Sequence, residues 1–230
     1  MRLDQFISTS SPLSRKEARR AIHAGRVEVN TEVWKDTGKH VPADADISLD
    51  GAQLTIQGER YLMLNKPAGV VSATRDSDHP TALDLLPAEL TRDLHIAGRL
   101  DADTTGLLLL TTDGKWSHRV TSPKVDCPKT YRVTLTTPIS ESAIEELEKG
   151  IVLHNEAMPT KPAQVNVVEP QLIELTISEG RYHQVKRMLA AVGNHVEALH
   201  RQSIGAVSLD PALRPGEYRE LTEQEIASIA

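Results

Sequence analysis

The sequence predicts an α+β protein in two parts: a small helix-and-sheet module over residues 1–50 and a larger mixed-sheet domain over residues 61–230. Three observations predict it. Near the N-terminus a helix start signal is followed at once by an alternating strand. Residues 51–60 then form a glycine-bounded stretch that separates this module from the rest. Beyond it, short β-rich runs outnumber helical ones, which favours a sheet flanked by helices.

The elements follow in order. Ser14-Arg-Lys-Glu17 is a capping box, with Ala18, Ala21 and Ile22 at helical spacing and Gly25 where a helix would stop. Arg26-Val-Glu-Val-Asn30 alternates polar and apolar residues, as a half-buried strand does. Val33 and Val41 continue as short strand-like pieces, so the module is a helix pair and a small sheet. Gly51 to Arg60 reads as a linker strand. After it, Tyr61–Leu64, Gly106–Thr111, Thr130–Thr136 and Leu172–Ile177 read as strands. Two helices are marked: Ser140 to Lys149, capped by Ser140 and stopped by Gly150, and Tyr182 to Val192, stopped by Gly193.

Bulk properties narrow the function. No stretch approaches the roughly 18 apolar residues that cross a bilayer, and no apolar signal core follows Met1, so a cytoplasmic protein with no membrane partner is expected. One cysteine, Cys127, allows no internal disulfide. The net charge of −6 argues against a nucleic-acid binder, but the charge is uneven. Arg15, Lys16, Arg19, Arg20 and Arg26 crowd one segment, and Arg181, Lys186, Arg187 and Arg201 another, while residues 140–180 are strongly acidic. Such asymmetry suits a protein that meets a polyanion on one side.

Four places could carry chemistry. Asp101 and Asp103 in Arg99-Leu-Asp-Ala-Asp103 could form an acid/base pair, although their composition alone fits a solvated turn. His183, Lys186 and Arg187 would share one helix face and Val185, Leu189 and Val192 the other: a solvated basic face, or one that grips phosphate or neutralises a carboxylate. Tyr131 alternates with Val133 and Leu135, so it is either an ordinary strand residue or a ring that stacks on a base. The rigid turns Asn65–Gly69 and Asp78–Thr81 include His79, but no second ligand stands at metal spacing, and no phosphate-binding glycine loop is present. No metal site is expected.

At these residues the sequence resembles a known family over nearly its whole length. Ser14-Arg-Lys-Glu-Ala18 and Gly25-Arg-Val-Glu-Val-Asn30 are similar to an S4 RNA-binding module. Leu64-Asn-Lys-Pro-Ala-Gly69, Ala97–Leu107, Lys129-Thr-Tyr131 and Glu179–Met188 resemble, in the same order, pseudouridine synthases of the RsuA type. The resemblance implies a mainly antiparallel catalytic sheet with Asp101 as catalytic carboxylate, Asp103 being the non-catalytic member of the pair. Asp78-His-Pro-Thr81, Trp116–Arg119, Thr121-Ser-Pro123 and Gly193-Asn-His195 look most like the branch acting on 16S ribosomal RNA, at uridine 516. Thr104-Thr105-Gly106 stands where many relatives have Thr-Ser-Gly. Lys186 stands where many have arginine, keeping the charge but losing the two-pronged fork.

The resemblance further implies catalytic roles for Asp101, Tyr131 and Lys186, with Arg187 as the alternative carboxylate partner. It implies RNA contacts from Arg15, Lys16, Arg19, Arg26, Arg99 and Arg187. A monomer acting without a cofactor on 16S RNA, or on a small-subunit assembly intermediate, is expected. Three rivals remain open: a non-catalytic RNA-binding or ribosome-assembly protein, a glycoside hydrolase using Asp101 with Asp103, and a family member acting on 23S RNA.

Overall fold

The computed structural model describes residues 1–56, 58–122 and 125–229, and divides into two units, Met1–Gly58 and Glu59–Ala230. The first unit opens with helices α1 (Leu3–Ser10) and α2 (Arg15–His23). α2 starts where its sequence dictates. The Glu17 N–H donates to Ser14 Oγ at 3.3 Å, and the Ser14 N–H donates to the Glu17 carboxylate at 2.8 Å. It ends at Gly25, whose φ of +74° is a conformation that side chains disfavour.

Strands β1 (Val27–Val29), β2 (Glu32–Val33), β3 (Ile47–Leu49) and β4 (Ala52–Leu54) then form an antiparallel sheet in the order β2-β1-β3-β4. Alternation on β1 turns Val27 and Val29 onto a core with Leu3, Ile7, Ala18, Ile22 and Ile47. Val41 joins that core from outside any strand. Residues 52–54, placed by the sequence reading in a linker, pair with β3 as the sheet's fourth strand. The cause is local: Asp50 and Gly51 both have positive φ, the geometry of a two-residue Asp-Gly hairpin, which folds the chain straight back.

The second unit holds β5 (Tyr61–Lys66), a 3₁₀ turn (Ala82–Leu85), α3 (Ala88–Thr91), β6 (His95–Ala97), β7 (Thr105–Thr111), α4 (Gly114–Thr121), β8 (Lys129–Leu135) and α5 (Glu141–Lys149). β9 (Gln164–Glu169), β10 (Leu172–Ile177), α6 (Gln184–Ala191), β11 (Val196–Ile204), β12 (Val207–Ser208), β13 (Tyr218–Glu220) and α7 (Glu223–Ser228) complete it. One mixed sheet runs β13-β5-β7-β11-β8-β10-β9, with β6 added beside β7 and β12 beside β11. Its pairings among the described residues are antiparallel except β7 with β11.

The middle of this sheet is buried on both faces, which is why β7 is a continuous leucine run rather than an alternating strand. Leu108 and Leu110 face a core with Leu62, Leu64, Val133, Met188 and Leu189. Leu107 and Leu109 face the opposite core with Met63, Trp116, Val120 and Ile204. Gly106 permits the parallel β7–β11 contact: a Cβ there would lie 2.3 Å from the Arg201 carbonyl oxygen.

α5 has the expected limits, with Ser140 as N-cap and Gly150 at its end. α6 starts two residues later than the periodicity predicts, because His183 adopts a left-handed conformation (φ 48°, ψ 36°) and stands before the helix. α4 and α7 were not read from the sequence, although Asp113 and the Thr222–Glu225 capping box start them. Pro123 of the branch-like run 121–123 lies outside the described residues.

Candidate active site

The turn between β6 and β7 carries Asp101, and several bonds fix it. The Thr104 N–H donates to the Asp101 carbonyl at 3.1 Å, and the Gly69 N–H to the Ala102 carbonyl at 2.8 Å. Ser72 Oγ accepts from the Leu100 N–H and donates to the Leu100 carbonyl. Lys66 comes up from β5, fully buried, and its ammonium donates to the carbonyls of Pro67, Val70 and Ala102. Burial pulls Lys66 down to about 8, against the pull of Asp103 and Asp101. The run Asn65–Gly69, read from sequence as a rigid turn, is the last two residues of β5 followed by a turn at Ala68–Gly69, and it staples the Asp101 turn in place.

Asp101 borders a cavity of about 730 Å³, which Arg99, Tyr131, His183, Lys186 and Arg201 also line. Its two carboxylate oxygens meet different groups: Lys186 Nζ lies 3.1 Å from Oδ2, and His183 Nε2 lies 3.3 Å from Oδ1. The same Lys186 ammonium donates to Asp103 at 2.7 and 3.0 Å. Burial would lower Lys186, but its bonds to Asp103 and Asp101 outweigh that and hold it above the ordinary lysine range. Those bonds hold Asp103 below the usual carboxylate range. The two acids differ in setting: the Asp103 side chain is 74% exposed and that of Asp101 30%.

Of the two basic residues considered as partner to Asp101, the geometry brings in Lys186. Arg187 is turned away: it pairs with Glu156 at 2.6 Å and donates to the carbonyls of His154 and Tyr182. Glu156 also binds Arg181, so one carboxylate ties two arginines beside the turn that leads into α6. Tyr131 is nearly buried in the cavity wall on β8. The Arg99 side chain is exposed at the cavity and has no hydrogen-bond or ion-pair partner among the described residues.

Two groups escaped the sequence reading. Arg201, on β11, is 1% exposed and donates to the carbonyls of Leu107, Gly98 and Arg99. It was counted only as part of a basic segment, and no local pattern distinguishes a buried arginine from an exposed one. His183 was read as one member of a helix face, whereas it reaches Asp101 from its left-handed position ahead of the helix.

In the first unit, Arg15 and Arg19 are exposed for about half their side chains, yet both reach the fully buried Asp4, at 3.5 and 2.8 Å. Arg2 joins them at 3.1 Å. Burial alone would raise Asp4, but the bonds from Arg2, Arg19 and Arg15 outweigh it and hold the carboxyl far below its usual range. Arg26 pairs with Asp50 at the surface, and Lys16 is exposed. Three guanidinium groups thus converge on one buried carboxylate.

The family model described as RNA pseudouridylate synthase matches residues 60–191, and that of the S4 domain matches residues 1–47. The chain is 54% identical over 230 residues to "Ribosomal small subunit pseudouridine synthase A" of Escherichia coli strain K12, covering all of both chains. It is 50% identical over 229 residues to the protein of the same name from Vibrio cholerae, covering 100% of this chain and 99% of that one. A solved structure titled "Crystal structure of pseudouridylate synthase" superposes with a TM-score of 0.73 at 47% identity, covering all of both chains. With a match across more than half its length and whole-length relatives at this identity, the chain belongs to the RNA pseudouridylate synthase family: it is a pseudouridine synthase that begins with an S4 domain.

Proposed function

We propose that this enzyme converts one uridine of 16S ribosomal RNA, uridine 516, to pseudouridine, with Asp101 as the nucleophile. The observation that carries the proposal is the Asp101 carboxylate beside a cavity, with one oxygen against Lys186 and the other against His183. Its setting in a chain 54% identical throughout to an enzyme named for the small subunit supports the choice of RNA.

The reaction breaks the bond between N1 of uracil and C1′ of ribose, turns the base and rejoins it through C5. A stacked base hides these atoms, so the nucleotide is extruded into the cavity. Asp101 attacks either C1′ or C6, giving a covalent intermediate. The Lys186 ammonium keeps the carboxylate's charge company in its half-buried place. The Tyr131 ring lies against the uracil, and Arg99 meets a phosphate or fills the gap that the flipped base leaves. C5 loses a proton to Tyr131 or Asp101, and N1 gains one, so atoms balance without a redox cofactor. Residues 1–50 add affinity through Arg15, Lys16, Arg19 and Arg26, mainly at phosphates.

The test uses 16S RNA carrying tritium at uracil C5. The enzyme is expected to release tritium, and Asp101→Asn to release none. Release by Asp101→Asn at the wild-type rate overturns the nucleophile. Release from 23S but not 16S RNA overturns the choice of substrate.

A further inference from the structure

Tyr182 is the one large aromatic residue conspicuously exposed among those described, at 73% of its surface, in a chain with only four tyrosines, two tryptophans and one phenylalanine. It is not loose. Its ring stacks on that of His183, with centroids 3.8 Å apart and planes 22° from parallel. His183 in turn faces the Asp101 carboxylate at 3.3 Å. Both rings border the cavity that Asp101 occupies.

The backbone shows that this arrangement is imposed. His183 has φ 48° and ψ 36°, a left-handed conformation that a residue with a Cβ adopts at a cost. Neighbouring groups hold the bend. The Arg181 N–H donates to Gln184 Oε1 at 2.8 Å, Gln184 Nε2 donates to Glu179, and the Arg181 guanidinium grips Glu156 and the carbonyls of Met158 and Pro159. The bend aims the imidazole at Oδ1 of Asp101 while Lys186, one helical turn on, takes Oδ2. A carboxylate with an ammonium bonded to one oxygen and an imidazole 3.3 Å from the other, both from one turn, is confined in orientation. The outer face of Tyr182 is left open to solvent at the mouth of the cavity.

We propose that Tyr182 and His183 work as one two-ring bracket. His183 is a positioning residue for Asp101, and the open face of Tyr182 stacks on an unpaired base next to the flipped uridine. The inference rests on the reading of Asp101 as the reacting group. Extruding one nucleotide leaves its neighbours without a stacking partner, and an exposed ring at the cavity mouth supplies one irrespective of base identity. Because the stacked ring lies on His183, occupancy of the RNA site also confines the imidazole against Asp101.

Steady-state tritium release on the full chain tests both halves. Tyr182→Ala is expected to raise KM about 10-fold with kcat within twofold, the loss of one base stack, and Tyr182→Phe to restore KM. The ring is exposed, so folding does not depend on it. For His183, glycine relieves the left-handed backbone and removes the imidazole, whereas glutamine carries an N–H to about the same reach. His183→Gly is expected to lower kcat at least 10-fold with KM unchanged, and His183→Gln to recover most of that loss. A KM for Tyr182→Ala within twofold of wild type overturns the stacking role. A wild-type kcat for His183→Gly overturns the positioning role, since a purely backbone function is met by glycine. Failure of the underlying reading looks different: Asp101→Asn would then be as active as wild type.

Discussion

Arg201 lies under Tyr131, its guanidinium carbon 5.9 Å from the ring centroid and its Nη1 3.5 Å from the phenol oxygen. No carboxylate pairs with it among the described residues; backbone carbonyls of Leu107, Gly98 and Arg99 take its donors instead. It therefore ties the strand that bears Tyr131 to the turn that bears Asp101. Arg201→Met leaves these buried acceptors unmatched, at about 1–3 kcal/mol for each lost bond. A destabilisation of roughly 3 kcal/mol in urea unfolding is expected, with a lower kcat as Tyr131 loses its support. A change below about 1 kcal/mol would contradict this account.

Lys186 bonds both acids of the 101–103 turn, so the two must be separated by function. Lys186→Met is expected to lower kcat roughly 100-fold or more, because it removes a fixed charge from the reacting carboxylate. Lys186→Arg should retain much of the activity. Asp103→Asn should cost less than about 10-fold, since its carboxylate is exposed and screened. Tritium release measures all three, and equal losses in Asp103→Asn and Asp101→Asn would sink the distinction.

Lys66 gives the second unit a pH dependence on the alkaline side. Its folded-state value, about 8, lies below the 10.5 of an unperturbed lysine. Between these values the unfolded chain holds a proton that the folded chain has released, so stability contributed at this site rises with pH. Unfolding of the wild type and Lys66→Met, compared at pH 7.5 and 10, should show the wild type gaining on the variant. A constant difference across that range would refute it.

Asp4 acts at the opposite end of the scale. Its folded-state value is depressed, so the stability it contributes is complete above the unfolded value near 4 and fades as pH falls below that. Asp4→Asn should cost about 3 kcal/mol at neutral pH, since it leaves three arginines around a buried neutral group. The variant should also lose the acid sensitivity and bind RNA more weakly at low salt. Thermal melts at pH 3 and 7, and binding across a salt series, check this. Unchanged melts at pH 7 would defeat it.

The features legible in the sequence were those that local chemistry specifies. Ser14 with Glu17, and Ser140 with Gly150, fix helix ends through bonds made within a few residues, and the structure has α2 and α5 there. The resemblance joined the runs around Asp101, Tyr131 and Lys186, which composition left ambiguous, and the structure has these three residues at one cavity. What was not readable depended on distant partners. Arg201 is buried only because Leu107 and Gly98 meet it, and β11 lacks clean alternation because two register shifts interrupt its pairing with β8. His183 defeats a periodicity argument because its backbone is not helical at all. The Asp50-Gly51 hairpin was a missed local signal: those residues were in view, and their turn geometry assigns residues 52–54 to the first sheet.

The parallel pairing of β7 with β11 sets Gly106 opposite Arg201. No hairpin can deliver such a partner, and nearly a hundred residues of chain, with three helices and three strands, intervene. During synthesis the Asp101 turn leaves the ribosome early, with its strand, but the centre of the sheet stays open until residues 196–204 follow. Long-range pairing of this kind is slow to form and leaves β7 without its neighbour in the meantime. The turn that bears Asp101 therefore lacks the Arg201 bonds to the Gly98 and Arg99 carbonyls until residues 196–204 have been made.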